Sequence, residues 1–225
     1  MIDMKLIKNG LIFNNNKNFE KKDILIKESK IADIQYNISE NGCEVIDAEG
    51  CLVLPGFIDI HTHGGMGYDV MNLKYQDIDR LSCFFASKGV TGFLPTVMTA
   101  SIEDMITAVR NINLSIKNKT SGAKIIGINM EGPFISYEYK GAHLKEYIIS
   151  PSISLFERLI HESGDNIKMV TIAPEVENAT SFINHFKERG IVFCAGHTGV
   201  DYKRAVESFE KGFSHVTHLF NAMAG

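Results

Sequence analysis

The chain has 225 residues, 44% of them hydrophobic and 22% charged, with a formal net charge of −4, the balance of a folded chain with a large core rather than a disordered one. No lysine or arginine cluster extends beyond Lys21-Lys22, which argues against a nucleic-acid surface, where concentrated cations must displace counterions. No apolar run reaches the roughly 18–20 residues of a membrane span, so the expected partner is a small molecule.

The N-terminus MIDMKLIKNG lacks the charged-then-apolar pattern of a signal peptide. Cys43, Cys51, Cys83 and Cys194 are scattered without a CxxC pair, and a reducing, cytoplasmic compartment is expected. The segments KLIKNGLIF, DILIKESKIADIQ and CEVIDAEG read as short strands, punctuated at Asn9-Gly10, Asn14 to Asn16 and Asn41-Gly42. Residues 1–51 are therefore expected to form a small β-rich domain, half of a β-sandwich, beside a larger domain over 52–225.

From Leu52 the texture becomes a repeat of short apolar strands and amphipathic helices. Strands are expected at 52–60, 91–97, 124–130, 168–173, 191–195 and 214–217, with helices at 77–87, 101–116, 152–161, 179–189 and 201–211. Ser101 with Asp104, and Gly190 or Gly212, supply helix ends. Runs apolar on both faces suit parallel strands covered by crossover helices. Six such units are visible where a closed (β/α)8 barrel needs eight and about 250 residues, so the expected fold is α/β, a (β/α)8 TIM-type barrel truncated after about the sixth strand. An open doubly wound sheet is the alternative.

Ligand-type side chains fall where these strands end. LVLPGFIDIHTHGGMGY (52–68) closes its apolar run with His61 and His63, two residues apart and therefore on one face of a strand. Glu131 follows the third strand, His197 the fifth and His218 the sixth, which is the rim where a parallel barrel keeps its chemistry. Each alone reads equally as a solvated loop residue, but together at successive strand ends they point to a metal site. His161, His185 and His215 read as structural, although a slip in strand register would bring His215 into play. The glycines Gly64, Gly65 and Gly67 lack the P-loop spacing and its lysine, and read as a turn beside the metal.

LPGFIDIHTHGG resembles the opening signature of the amidohydrolase superfamily. NMEGPFISYEYKGAHL, APE, AGHT and THLFNAM together resemble, within it, the N-acetylglucosamine-6-phosphate deacetylase family. The resemblance implies a metal-dependent barrel that hydrolyses the N-acetyl group of N-acetylglucosamine 6-phosphate to glucosamine 6-phosphate and acetate. Glu131, His197 and His218 would hold the principal metal, His61 and His63 a second ion with Glu131 bridging, and Ala142, His143, Asn221 and Ala222 the amino-sugar phosphate. The resemblance also implies a dimer for the full-length protein. One or two divalent ions are expected, zinc first, with iron, cobalt or manganese as alternatives. The family's aspartate, its acid/base, is expected beyond Gly225, and the present residues alone are expected to be inactive. Two other readings stay open: an amidohydrolase acting on a cyclic amide or amidine, and a non-catalytic metal-binding fragment.

Overall fold

The computed structural model describes residues 4–14 and 16–224; Asn15 of the expected 14–16 turn, the first three residues of the N-terminal segment and Gly225 lie outside the described residues. The chain divides into two compact units, Met1–Gly56 and Phe57–Gly225.

The first unit holds two sheets. One, in the order β5-β4-β1-β6, comprises β1 (Met4–Lys8), β4 (Asp23–Lys27), β5 (Lys30–Gln35) and β6 (Glu44–Asp47). The other, in the order β3-β2-β7, comprises β2 (Leu11–Phe13), β3 (Phe19–Lys21) and β7 (Leu52–Val53). KLIKNGLIF is thus two strands in two sheets, because Asn9 takes a left-handed backbone (φ 61°) and turns the chain between them. The buried Asp23 carboxylate accepts from the backbone N–H of Asn9 and of Ile38, satisfying two donors that no strand reaches.

The second unit is a parallel arc flanked by helices. Its strands are β8 (Phe57–Thr62), β11 (Val90–Met98), β12 (Lys124–Ile125), β13 (Ile128–Glu131), β14 (Ile167–Ile172), β15 (Val192–Ala195) and β16 (Phe213–Val216). They run β8-β11-β13-β14-β15-β16 side by side, with β12 also against β11, all parallel. Five helices cross over: α1 (Tyr75–Ser87), α2 (Ile102–Asn118), α3 (Ile153–Glu162), α4 (Ala179–Phe186) and α5 (Tyr202–Glu210). Ser101, Ser152 and Asp201 cap α2, α3 and α5 through side-chain oxygens that accept otherwise orphaned backbone N–H groups. This is the barrel arc expected from the sequence, and among the described residues β8 and β16 each pair on one side only.

Two expected strands are broken. Residues 52–60 divide at Pro55-Gly56 into β7, which joins the first unit, and β8, which opens the arc. Residues 124–130 divide at Ile126-Gly127, where the Lys168 side chain lies so close that a Cβ on Gly127 would run into it. The glycine-rich turn is a small hairpin of β9 (Gly64–Gly65) with β10 (Tyr68–Asp69).

The strands bury both faces, as the apolar runs require. Outward, Phe93, Val97, Met130, Val170 and Phe193 pack beneath Met105, Ile106, Val109 and Ile112 of α2, Phe156 of α3, and Phe182 and Phe186 of α4. Inward, Leu94, Met169 and Cys194 form a smaller cluster. The register aligns Thr96 with Asn129, and Glu131 with Thr171, on that inward face. A carboxylate therefore stands at the carboxyl end of β13, pointing into the arc.

Candidate metal centre

Glu131 is the last residue of β13 and is 3% exposed, an unfavourable place for a lone carboxylate. It is surrounded by imidazoles. Its Oε1 lies 3.0 Å from Nε2 of His218, 3.1 Å from that of His197 and 3.4 Å from that of His61. Its Oε2 lies 3.0 Å from Nε2 of His63 and 3.7 Å from that of His143. The structure thus brings His61, His63, His197 and His218 around one carboxylate. His161 and His185 stand on α3 and α4, the latter 3.3 Å from Glu157, and His215 engages Ser214.

Backbone geometry places two of these rings at a cost. His197 (φ 49°) and His218 (φ 30°) both take the left-handed conformation just past the ends of β15 and β16, as do Phe220 and Ala222. Non-glycine residues there are strained, and such strain gathers at functional sites. Gly196 lets the chain pass between Thr171 and Thr217, where a Cβ would come within 2.7 Å of either side chain.

The outer hydrogen bonds fix the rings. Nδ1 of His197 lies 3.0 Å from the carbonyl of Tyr139, and Nδ1 of His218 lies 3.1 Å from the carbonyl of Asn221. A carbonyl only accepts, so Nδ1 is the donor in both rings and Nε2 is the atom turned to Glu131. Those two Nε2 atoms are 3.1 Å apart, and Nε2 of His61 and His63 are also 3.1 Å apart. Lone pairs and a carboxylate at such spacing repel unless a cation or protons lie among them. Imidazole nitrogens backed by carbonyls, together with a carboxylate, are the donor set of a divalent transition-metal site. Two groups of three place their ligand atoms within 4.8 Å of one another: His61, His63 and Glu131, and Glu131, His143 and His197; His218, whose Nε2 is 3.0 Å from Glu131, stands beside the second.

The electrostatics agree. Burial works against the ionised form of Glu131, but the imidazoles of His197, His61 and His63 outweigh it and hold the carboxyl well below the usual range. His63 is raised by its hydrogen bond to Glu131, with burial partly opposing. His143 is pushed down to about 4, first by burial and then by His197, His63 and His218, with Glu131 opposing. It is a neutral imidazole at pH 7, and its buried Nδ1 has no partner among the described residues.

Outward from Glu131 opens a cleft of about 440 Å³. Ala142, His143, Asn221 and Ala222 all line it, beside Met98 and Gly141. Sequence reasoning passed over Tyr139, which acts through a main-chain carbonyl and so leaves no residue-type signal. It also passed over Thr96 and Asn129, polar groups buried on the inward face of β11 and β13. An asparagine two residues before Glu131 in an apolar strand was the available clue, since the two share a face.

Residues 52–225 match the amidohydrolase family. The N-acetylglucosamine-6-phosphate deacetylase of Bacillus subtilis (strain 168) is 33% identical over 229 residues, covering 100% of this chain and 58% of that protein. The human protein of the same name is 32% identical, with 97% of this chain and 52% of its own length covered. The N-acetylgalactosamine-6-phosphate deacetylase of Escherichia coli O157:H7 is 33% identical over 80% of this chain and 47% of its own. The crystal structure of N-acetylglucosamine-6-phosphate deacetylase from Pasteurella multocida superposes with a TM-score of 0.89 at 29% identity, over 99% of this chain and 58% of that one. The chain thus spans about half the length of the relatives it matches. Because the match runs through the whole β/α arc that carries Glu131 and its ring of histidines, the chain belongs to the amidohydrolase family.

Proposed function

We propose that this chain carries the metal-holding part of a deacetylase that converts N-acetylglucosamine 6-phosphate and water to glucosamine 6-phosphate and acetate. The carrying observation is the buried Glu131 carboxylate, ringed by Nε2 atoms and opening onto the cleft that His143 and Asn221 line. The names of relatives at 31–33% identity support the substrate class.

In this reading Glu131, His197 and His218 would hold the principal ion, and His61 and His63, with Glu131 shared, a second. Zinc suits the donors best, and iron, cobalt or manganese are accepted by the same atoms. The chemistry such an ion supplies is polarisation of an amide carbonyl and a lowered pKa for water. His143, buried and neutral, hydrogen-bonds the sugar or the reacting carbonyl. Asn221 offers its side-chain amide to a phosphate or sugar oxygen, and the small Ala142 and Ala222 let the backbone approach the ligand.

Proton transfer to the leaving amine needs a free acid/base. Among the described residues Glu131 is the one carboxylate lining the cleft, the imidazoles already engage both its oxygens, and His143, pushed down to about 4, carries no imidazolium proton to give at neutral pH. We therefore infer that these 225 residues alone bind the sugar phosphate without turning it over. Calorimetry of the zinc-loaded chain with N-acetylglucosamine 6-phosphate, its galacto epimer, unphosphorylated N-acetylglucosamine and a cyclic amide tests this, with acetate assayed in parallel. Binding of a sugar phosphate in preference to the others, without acetate, is the expected result. Binding of the cyclic amide alone would favour a different amidohydrolase chemistry, and acetate release blocked by chelator would overturn the inactivity.

A further inference from the structure

We propose that Thr96 and Asn129 are positioning residues for the His61/His63 pair, holding a bulge in β8 that aims both rings at Glu131. This rests on the metal-site reading above and adds to it two residues that touch neither ion nor substrate.

The pairing of β8 with β11 runs Phe93 to Asp59 and then Pro95 to Thr62, so Ile60 and His61 together face Leu94 alone. Two residues against one is a bulge, which bends a strand and re-aims its side chains. Pro95, opposite Thr62 where the bulge ends, has no N–H to give to a ladder. Two backbone groups of β8 beside the histidines therefore need partners from elsewhere. The N–H of Thr62, the residue between them, donates to Thr96 Oγ1 at 3.0 Å. The carbonyl of Ile60, the residue before them, accepts from Asn129 Nδ2 at 3.3 Å.

The two braces are tied to each other. Asn129 Nδ2 also donates to Thr96 Oγ1 at 3.4 Å, and Thr96 Oγ1 donates to the carbonyl of Leu94 at 3.3 Å. One donation and two acceptances use the whole capacity of a hydroxyl. Thr96 is wholly buried and Asn129 is 2% exposed, so both bonds lie away from bulk solvent. The result is a polar bracket on each side of His61. With it in place Nε2 of His61 and His63 stand 3.1 Å apart, within 3.4 and 3.0 Å of the two Glu131 oxygens. Valine at 96 keeps the shape and removes the hydroxyl; leucine at 129 removes both amide donors.

The test uses the whole chain with zinc as the probe, and compares Thr96→Val, Asn129→Leu and the conservative Thr96→Ser. Two readouts are taken: imidazole ¹⁵N resonances of the metal-free protein, and the stoichiometry and affinity of zinc. Thr96→Val and Asn129→Leu should each shift the His61 and His63 resonances while those of His197 and His218 stay. They should weaken the His61/His63 ion by up to about tenfold, the lower end of what losing a direct partner of a ligand ring costs, and leave the other ion unchanged. Thr96→Ser should behave as the parent. Unmoved His61 and His63 resonances in both variants would overturn the proposal. So would loss of amide dispersion across α2 and α3, because the bonds would then hold the sheet and not the pair. If the resonances move but the parent takes up no second zinc, the two-ion reading fails while the positioning role stands.

Discussion

Glutamine at position 131 would keep the shape of Glu131 and remove its charge at the one point four imidazoles share. Its oxygens lie 3.0, 3.1, 3.4 and 3.0 Å from Nε2 of His218, His197, His61 and His63. Losing an outer partner of a metal ligand already costs about 10–100-fold in affinity, so losing the shared carboxylate itself should cost ~100-fold or more. At zinc 100 times the parent's Kd, binding stabilises the native chain by about 2.7 kcal/mol; the variant, then near its own Kd, would gain only about 0.4 kcal/mol. For a chain of this size each kcal/mol moves Tm by about 2–4 °C, giving a zinc-induced rise of about 5–10 °C in the parent and about 1–2 °C in E131Q. Thermal melting followed by circular dichroism, with and without zinc, measures both shifts. Equal rises in parent and variant would refute the assignment of Glu131 as the hub of the site.

The metal-free chain should show a second signature, in pH. Its His63 pKa is raised by the hydrogen bond to Glu131, so the stability this contributes is complete below the ordinary imidazole value near ~6.5 and is lost as pH rises through the higher folded value. Denaturant melts across that window should find the parent losing stability relative to His63→Asn, and parallel profiles would count against it. Cys194, 2% exposed with its thiol pushed up to about 11 by burial, should resist a disulfide reagent until the chain unfolds, whereas exposed Cys51 and Cys83 react at once. Phe182→Ala removes a ring 5.0 Å from those of Phe134 and Phe156 and 4.8 Å from that of Phe186, and should cost about 3–5 kcal/mol in urea unfolding. Zinc uptake by that variant should be unchanged while it remains folded.

The rhythm of the arc was readable because burial on both faces leaves strands apolar throughout and makes helices amphipathic, as in Met105, Ile106, Val109 and Ile112. Glu131, His197 and His218 stood out because polar side chains interrupt that rhythm at strand ends. Interruptions of register were harder to read. Nothing in the apolar run of 52–60 separates Leu52–Val53, which pairs with β2, from Phe57–Thr62, which pairs with β11, except Pro55-Gly56. The turn residues of the first unit marked its strands but not which sheet each joins, and Phe19–Lys21 lies in a polar stretch with no alternation to betray it. Partners that act through the main chain, such as the carbonyls of Tyr139 and Asn221, were invisible in principle, because every residue type carries the same carbonyl.

The loops that follow β15 and β16 are stitched together: Thr198 donates its N–H to the carbonyl of Ala222, Ala224 donates to that of Thr198, and Thr198 bridges Met223 in parallel. His197 and His218 therefore belong to one heritable block, although 21 positions separate them. An insertion in either loop shifts both rings, whereas an insertion in the exposed connection after α1 touches neither.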